Sequence, residues 1–149
     1  MNEQMKQKIL ALVGEHRIMT VATLRPDGWP QATTVSYVSD GMKVYFGTGA
    51  NSQKARNLAK CDKVSATVNR PYRDWDGISG LSLAGRARLI TDQTEMAHAG
   101  ALMLKKFPQI ARYSGFDMGP LAMFCITPNV VSVLDYSKGF GHTDLLEVA

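Results

Sequence analysis

Cysteine is scarce in this 149-residue chain. Cys61 and Cys125 are the whole complement, neither has a CxxC neighbour, and each lies in or beside an apolar run. A disulfide framework and a thiolate zinc site are therefore not expected, and both residues read as small buried hydrophobes. Histidine is nearly as rare: His16, His98 and His142 include no two at metal-ligand spacing, so no metal is expected. No apolar run approaches the ~18 residues of a membrane span. The N-terminal MNEQMKQKILALVGEH carries polar and acidic residues where a signal peptide has an apolar block. The expectation is a cytoplasmic protein without a membrane partner. Concentrated charge is missing too. The formal net charge is only +4, and Lys54, Arg56 and Lys60 form the densest basic run, with Arg70, Arg73, Arg86 and Arg88 further on. A nucleic-acid binder carries a stronger stripe; an anionic small molecule is the more economical partner. Finally, no nucleophile stands with a base. Asp27, Asp40 and Asp135 look like turn or strand-end residues, a silence that suits chemistry carried by a cofactor.

What is present suffices for one compact domain over residues 1–149, since 45% of the chain is hydrophobic. Met5, Ile9, Leu12 and Val13 follow helical spacing, which predicts an amphipathic helix over 2–14, stopped at Gly14. Strands are expected at 17–24, 31–38, 42–48, 63–69, 81–91 and 121–135, the last bent near Pro128. Pro26-Asp27-Gly28 and Asp40-Gly41 mark turns. Helices are expected at 51–60 and from Asp92 or Thr94 to about Lys106. Residues 70–80 read as a polar, aromatic loop, 108–119 as irregular or briefly helical, and the tail from Ser137 as Gly-rich and then apolar. The pattern is mainly β (α+β): an antiparallel barrel of roughly six strands with helices packed outside.

The stretch VYFGTGANSQKARN, Val44 to Asn57, is a strand that breaks at glycines and becomes a helix. A helix start offers unpaired N–H groups and the positive end of the dipole. Gly47 and Gly49 let the backbone come close to a ligand. Thr48 and Ser52 add hydroxyls, Lys54 adds a full charge, Gln53 offers amide donors, and Arg56 lies close in sequence. The set suits a phosphate. It is neither a P-loop, because Gln53 and Ala55 flank Lys54, nor a dinucleotide fingerprint, which needs glycine at Ser52. A capped surface helix with a solvated lysine is the bland alternative.

The order of helix, EHRIMTVATLRPDGWPQATTVSYVSDGMKVYFGTGANSQKARNL, KVSATV and LSLAGRARLI resembles the pyridoxamine 5′-phosphate oxidase-like family of FMN-binding split barrels, over residues 5 to 136. VYFGTGANSQKARNLA is the most specific portion. The resemblance implies a six-stranded antiparallel Greek-key split barrel and a homodimer with FMN at the subunit interface. It implies that Thr48, Ser52, Gln53 and Lys54 hold the FMN phosphate, and that Thr33, Thr34, Val35 and Ser36 run along the flavin ring and ribityl chain. Where the family often has basic residues at the two ends of that strand, this chain has Gln31 and Ser36. That lowers the positive charge near the cofactor and leaves FAD or a deazaflavin as alternatives to FMN.

Two further segments are candidates for a lid or substrate wall: the loop with Arg70, Tyr72 and Trp75, and the tail with Lys138, Phe140 and His142. The expected activity is that of an FMN-dependent oxidoreductase on a small-molecule substrate, its flavin reduced by NAD(P)H or by substrate. Oxidation of pyridoxamine phosphate itself is not expected. True oxidases carry a basic substrate-phosphate motif of the Arg-x-His kind near the C-terminus, and the corresponding GFGHTDLLEVA here has His142 but no arginine. The alternatives are a non-enzymatic flavin-binding redox sensor or carrier, and a haem-binding split barrel with His98 or His142 as axial ligand. His16 and His98 otherwise read as structural or solvated.

Overall fold

The computed structural model describes residues 2–113 and 119–148. Helix α1, Glu3–Glu15, begins where the Asn2 side chain accepts from the Met5 amide at 2.8 Å and buries Ile9, Leu12 and Val13. It runs one residue past Gly14, the expected stop, because the chain turns extended only at His16. The strands are β1 Ile18–Leu24, β2 Pro30–Ser36, β3 Val38–Asp40, β4 Lys43–Gly49, β5 Lys63–Asn69, β6 Ser79–Leu89, β7 Leu121–Asp135 and β8 Thr143–Glu147. Helix α2, Gln53–Lys60, follows β4, and helix α3, Gln93–Lys106, follows β6. All strand pairings are antiparallel, in the order β2-β1-β5-β6-β7-β4-β3, with β8 also on β7. The edge strand β2 returns against β4 without a ladder between them. The described residues thus form an antiparallel half-barrel with three α-helices, a split barrel.

Period-2 alternation decides what lies inside. In register, Val21, Ala66, Leu83 and Val131 form one inward row, and Val68, Leu81 and Val133 another. Ile9, Leu12 and Val13 of α1 join the same core. A second, smaller core of Val38, Tyr45, Ile90, Ala99, Phe107 and Cys125 lies beneath α3.

Among the described residues eight strands stand where six were expected, for two reasons. The expected strand over 31–38 breaks after Ser36: the Tyr37 amide donates to Arg17 O, and its buried hydroxyl donates to Val13 O at 2.5 Å. Residues beyond that anchor swing to the other edge of the sheet and pair with β4 as β3. The tail turns through Gly139 (φ 142°) and Gly141 (φ 80°) and returns as β8 along β7, placing Leu146 inward and Leu145 outward. β7 passes Pro128 as one strand, with the register shift opposite Ala84 and Gly85. Residues 108–113 form a short 3₁₀ turn; the part of the expected irregular segment at 114–118 lies outside the described residues. No helix among the described residues is long and apolar enough to cross a membrane.

Candidate cofactor site at the start of the second helix

α2 sits between the end of β4 and the β1–β2 hairpin. Ser52 caps it: the Ser52 Oγ accepts from the Ala55 amide at 3.1 Å and pairs with Thr48 Oγ1 at 3.0 Å. One of these two hydroxyl hydrogens is used within the pair; the other is available to a ligand. Among the described residues, the Gln53 and Lys54 amides and the Lys54 ammonium have no hydrogen-bond or ion-pair partner. The Lys54 side chain is half-buried, and that burial lowers its pKa below the ordinary lysine value. A desolvated cation beside free amides is electrostatically unfinished.

The remaining members of the set behave differently from one another. Arg56 turns back, donating to Asn51 O at 2.5 Å and to Gln53 Oε1 at 2.9 Å. The Gln53 side-chain nitrogen donates to Asn57 Oδ1 at 2.8 Å, so its carboxamide belongs to the helix network. On β2, Gln31, Thr33 and Val35 face inward, Val35 against the core, while Thr34 and Ser36 face outward. Thr33 Oγ1 is buried with no partner among the described residues. Sequence reasoning missed Asn57, which is fully buried and donates to Thr23 Oγ1 at 3.0 Å and to Gln31 Oε1 at 3.1 Å, tying α2 to β1 and β2. Its signal was an asparagine on the apolar face shared with Ala55 and Leu58, four residues after Gln53.

The two lid candidates come together, but elsewhere. Trp75 and Phe140 lie 5.6 Å apart between ring centroids, Tyr136 and Phe140 5.4 Å, and all sit at the Ser79–Asp135 end of the β6–β7 ladder. Lys138 and His142 share Asp144, at 3.8 and 3.1 Å. The Arg70 amide donates to Ser79 O, and Tyr72 is exposed. Thr48, by contrast, pairs with Ala122 near the opposite end of β7, roughly 40 Å of extended chain away at ~3.3 Å per residue. A single copy therefore does not join these residues to the α2 start. His98, exposed on α3, bonds Asp40 at 2.8 Å.

The donor set at the start of α2 fits a phosphate: backbone amides, a free hydroxyl hydrogen and one cation, with no carboxylate among the described residues bonded to any of them. Residues 5–135 match the sequence profile of the Pyridoxamine 5′-phosphate oxidase family. The chain belongs to that family. No curated protein matches it in sequence. Solved structures carry the same fold. A haem-binding protein from Mycobacterium smegmatis shares 24% identity with a TM-score of 0.76, covering 95% of this chain and 56% of its own. This chain thus spans little more than half of that protein. A Clostridium acetobutylicum protein of the pyridoxine-phosphate oxidase family, related to general stress protein 26, shares 18% identity at TM-score 0.73, covering 99% and 97%. The haem storage protein HutZ from Vibrio cholerae shares 18% at TM-score 0.68, covering 85% and 89%. Solved structures of this fold include both a protein of the oxidase family and haem-binding proteins, so the fold leaves the ligand to this chain's own residues.

Proposed function

We propose that the protein binds FMN and acts as a flavin-dependent oxidoreductase on a small-molecule substrate, as a homodimer with the flavin at the subunit contact. The observation that carries the reading is the half-buried, unpartnered Lys54 ammonium beside the Thr48–Ser52 hydroxyl pair. The Lys54 charge, the free hydroxyl hydrogen and the amides of Gln53 and Lys54 hold the phosphate. Thr33, inward on β2 with an unspent hydroxyl, supports the ribityl chain. Bound FMN supplies hydride and electron transfer between a nicotinamide or substrate donor and an acceptor. The polypeptide binds, orients and excludes water; no protein nucleophile is required.

A dimer is supported by the outer face of the sheet. Thr34, Thr20, Thr67, Ser82 and Ser132 lie in one row across five strands, and Ala32, Ala22, Ser65, Ala84 and Val130 in the next. Ten small, uncharged side chains in two adjacent rows are unlike a solvated face, which carries interspersed charges, and they suit close sheet contact with a second copy. In such a dimer the Trp75–Phe140 cluster of one copy is free to reach the other copy's flavin and form the substrate wall.

The test is the ligand released from purified protein. FMN by absorbance and mass, with bleaching of the bound flavin by NAD(P)H under anaerobic conditions, supports the reading. A yellow protein that NAD(P)H and candidate substrates never bleach indicates a sensor or carrier. A Soret band indicates the haem reading, which the two haem-binding neighbours favour.

A further inference from the structure

The buried amide chain beneath the α2 start has a direction, and that direction ends at the inward face of β2. The Arg56 guanidinium carries only donors, so the Gln53 oxygen must face it, at 2.9 Å. The Gln53 nitrogen is thereby turned to Asn57 Oδ1, at 2.8 Å. Both N–H groups of Asn57 are then directed outward from the helix, one to Thr23 Oγ1 and one to Gln31 Oε1. Gln31 consequently meets α2 with its oxygen, and its NH₂ group, which has no acceptor among the described residues, is left to point away from the helix. Two residues along the same inward face of β2 is Thr33, whose buried hydroxyl also has no partner. Asn57 is the middle of this relay and is wholly excluded from solvent.

We propose that Asn57 is a positioning residue of the ligand site, which, under the direction set by Arg56, fixes Gln31 as an obligate hydrogen-bond donor to an acceptor oxygen at the phosphate end of the bound flavin. This rests on the FMN reading above and deepens it. Gln31 presents an oriented neutral donor, and Asn57 supplies the orientation. Reversing the relay turns Gln31 oxygen-first toward the phosphate, where it repels.

The experiment measures dissociation constants of FMN and riboflavin, by quenching of flavin fluorescence, for ligand-free wild type, Gln31→Leu, Asn57→Leu and the double variant, with melting temperatures alongside. Gln31→Leu is expected to weaken FMN about tenfold, a typical loss for a hydrogen bond to a charged group, and to move riboflavin less than twofold. Asn57→Leu is expected to do the same, and the double variant to lose no more FMN affinity than Gln31→Leu alone, because Asn57 acts through Gln31. Should Asn57→Leu not fold, Arg56→Met, at an exposed position, takes its place: it removes the director and, combined with Gln31→Leu, must add no further loss. Unchanged FMN affinity in Gln31→Leu, equal losses for both flavins, or additive losses in the double variant overturn the proposal while leaving Lys54 and the FMN reading intact. Wild-type protein that binds neither flavin overturns both.

Discussion

Lys54 is the residue on which the site turns. Its charge is retained half-buried without a carboxylate among the described residues, which costs free energy that an anionic ligand returns. Replacing it with alanine is expected to weaken FMN by about 1.5–3 kcal/mol, as for a charged hydrogen bond, and to affect riboflavin far less. The pH dependence has a definite sign. Burial makes the folded protein hold the Lys54 proton less tightly than the unfolded chain does, so this group's contribution to ligand-free stability rises with pH between its lowered pKa and the ordinary lysine value. A bound phosphate pulls that pKa back up. FMN binding at alkaline pH should therefore take up protons, seen as a buffer-dependent calorimetric heat, and Lys54→Ala should abolish the dependence. At this scale the sequence was informative about residue type and poor about pairing. The hydroxyls and the lysine of the TGANSQK stretch were visible as candidates. The loss of the Gln53 side chain to Asn57, and the turning back of Arg56 to Asn51, depend on rotamers that only the packed helix selects.

Elements hold these residues in place through a few polar ties. Lys8 of α1 forms an ion pair with Asp135 at the end of β7, and Asp135 also accepts from the Ser137 amide and hydroxyl. The Lys8 ammonium, followed by Ser137, brings the Asp135 pKa down to about 2. The stability this contributes is complete above the ordinary aspartate range, near 4, and is lost as pH falls through about 2. Asp135→Asn should therefore lower the melting temperature at neutral pH and leave it nearly unchanged at the acid end of that window. A second tie is steric. A β-carbon on Gly85 would lie 2.4 Å from Thr127 O, so Gly85→Ala must displace backbone at the β6–β7 register shift; a loss of roughly 2 kcal/mol or more in denaturant unfolding is expected. Helix and strand identities were legible because apolar spacing and turn residues agreed locally. β3 and β8 were not. Val38–Asp40 is three residues long and is a separate strand only because Tyr37 is anchored by long-range bonds to Arg17 and Val13. The DLLEV tail has an alternation too short to be told from a helical turn until β7 supplies a partner edge.

The whole molecule is a half-barrel whose outer sheet face carries two central rows of small, uncharged side chains, and whose two groups of candidate site residues lie at opposite ends of β7. Both features make sense if two copies assemble, which a single sequence read by periodicity does not disclose, since outward positions rich in Thr, Ser and Ala look like ordinary solvent-facing strand positions. Thr67→Arg, a charge in the middle of those rows, should convert the proposed dimer to a monomer by light scattering and weaken flavin binding with it, because like charges then meet across the contact. Barrel closure, the β2–β4 gap and the placement of α2 are likewise beyond local pattern: in the proposed reading they bring Gln31 and Thr33 of β2 and Lys54 of α2 to one ligand path from two different elements. The paired titration of FMN and riboflavin into ligand-free wild type and Lys54→Ala tests that path most directly. FMN should bind the wild type at least about tenfold more tightly than riboflavin, a difference near 1.4 kcal/mol, and the difference should largely vanish in Lys54→Ala. Equal affinity of the two flavins for the wild type, or an equal loss of both in the variant, would contradict a phosphate held at the start of α2.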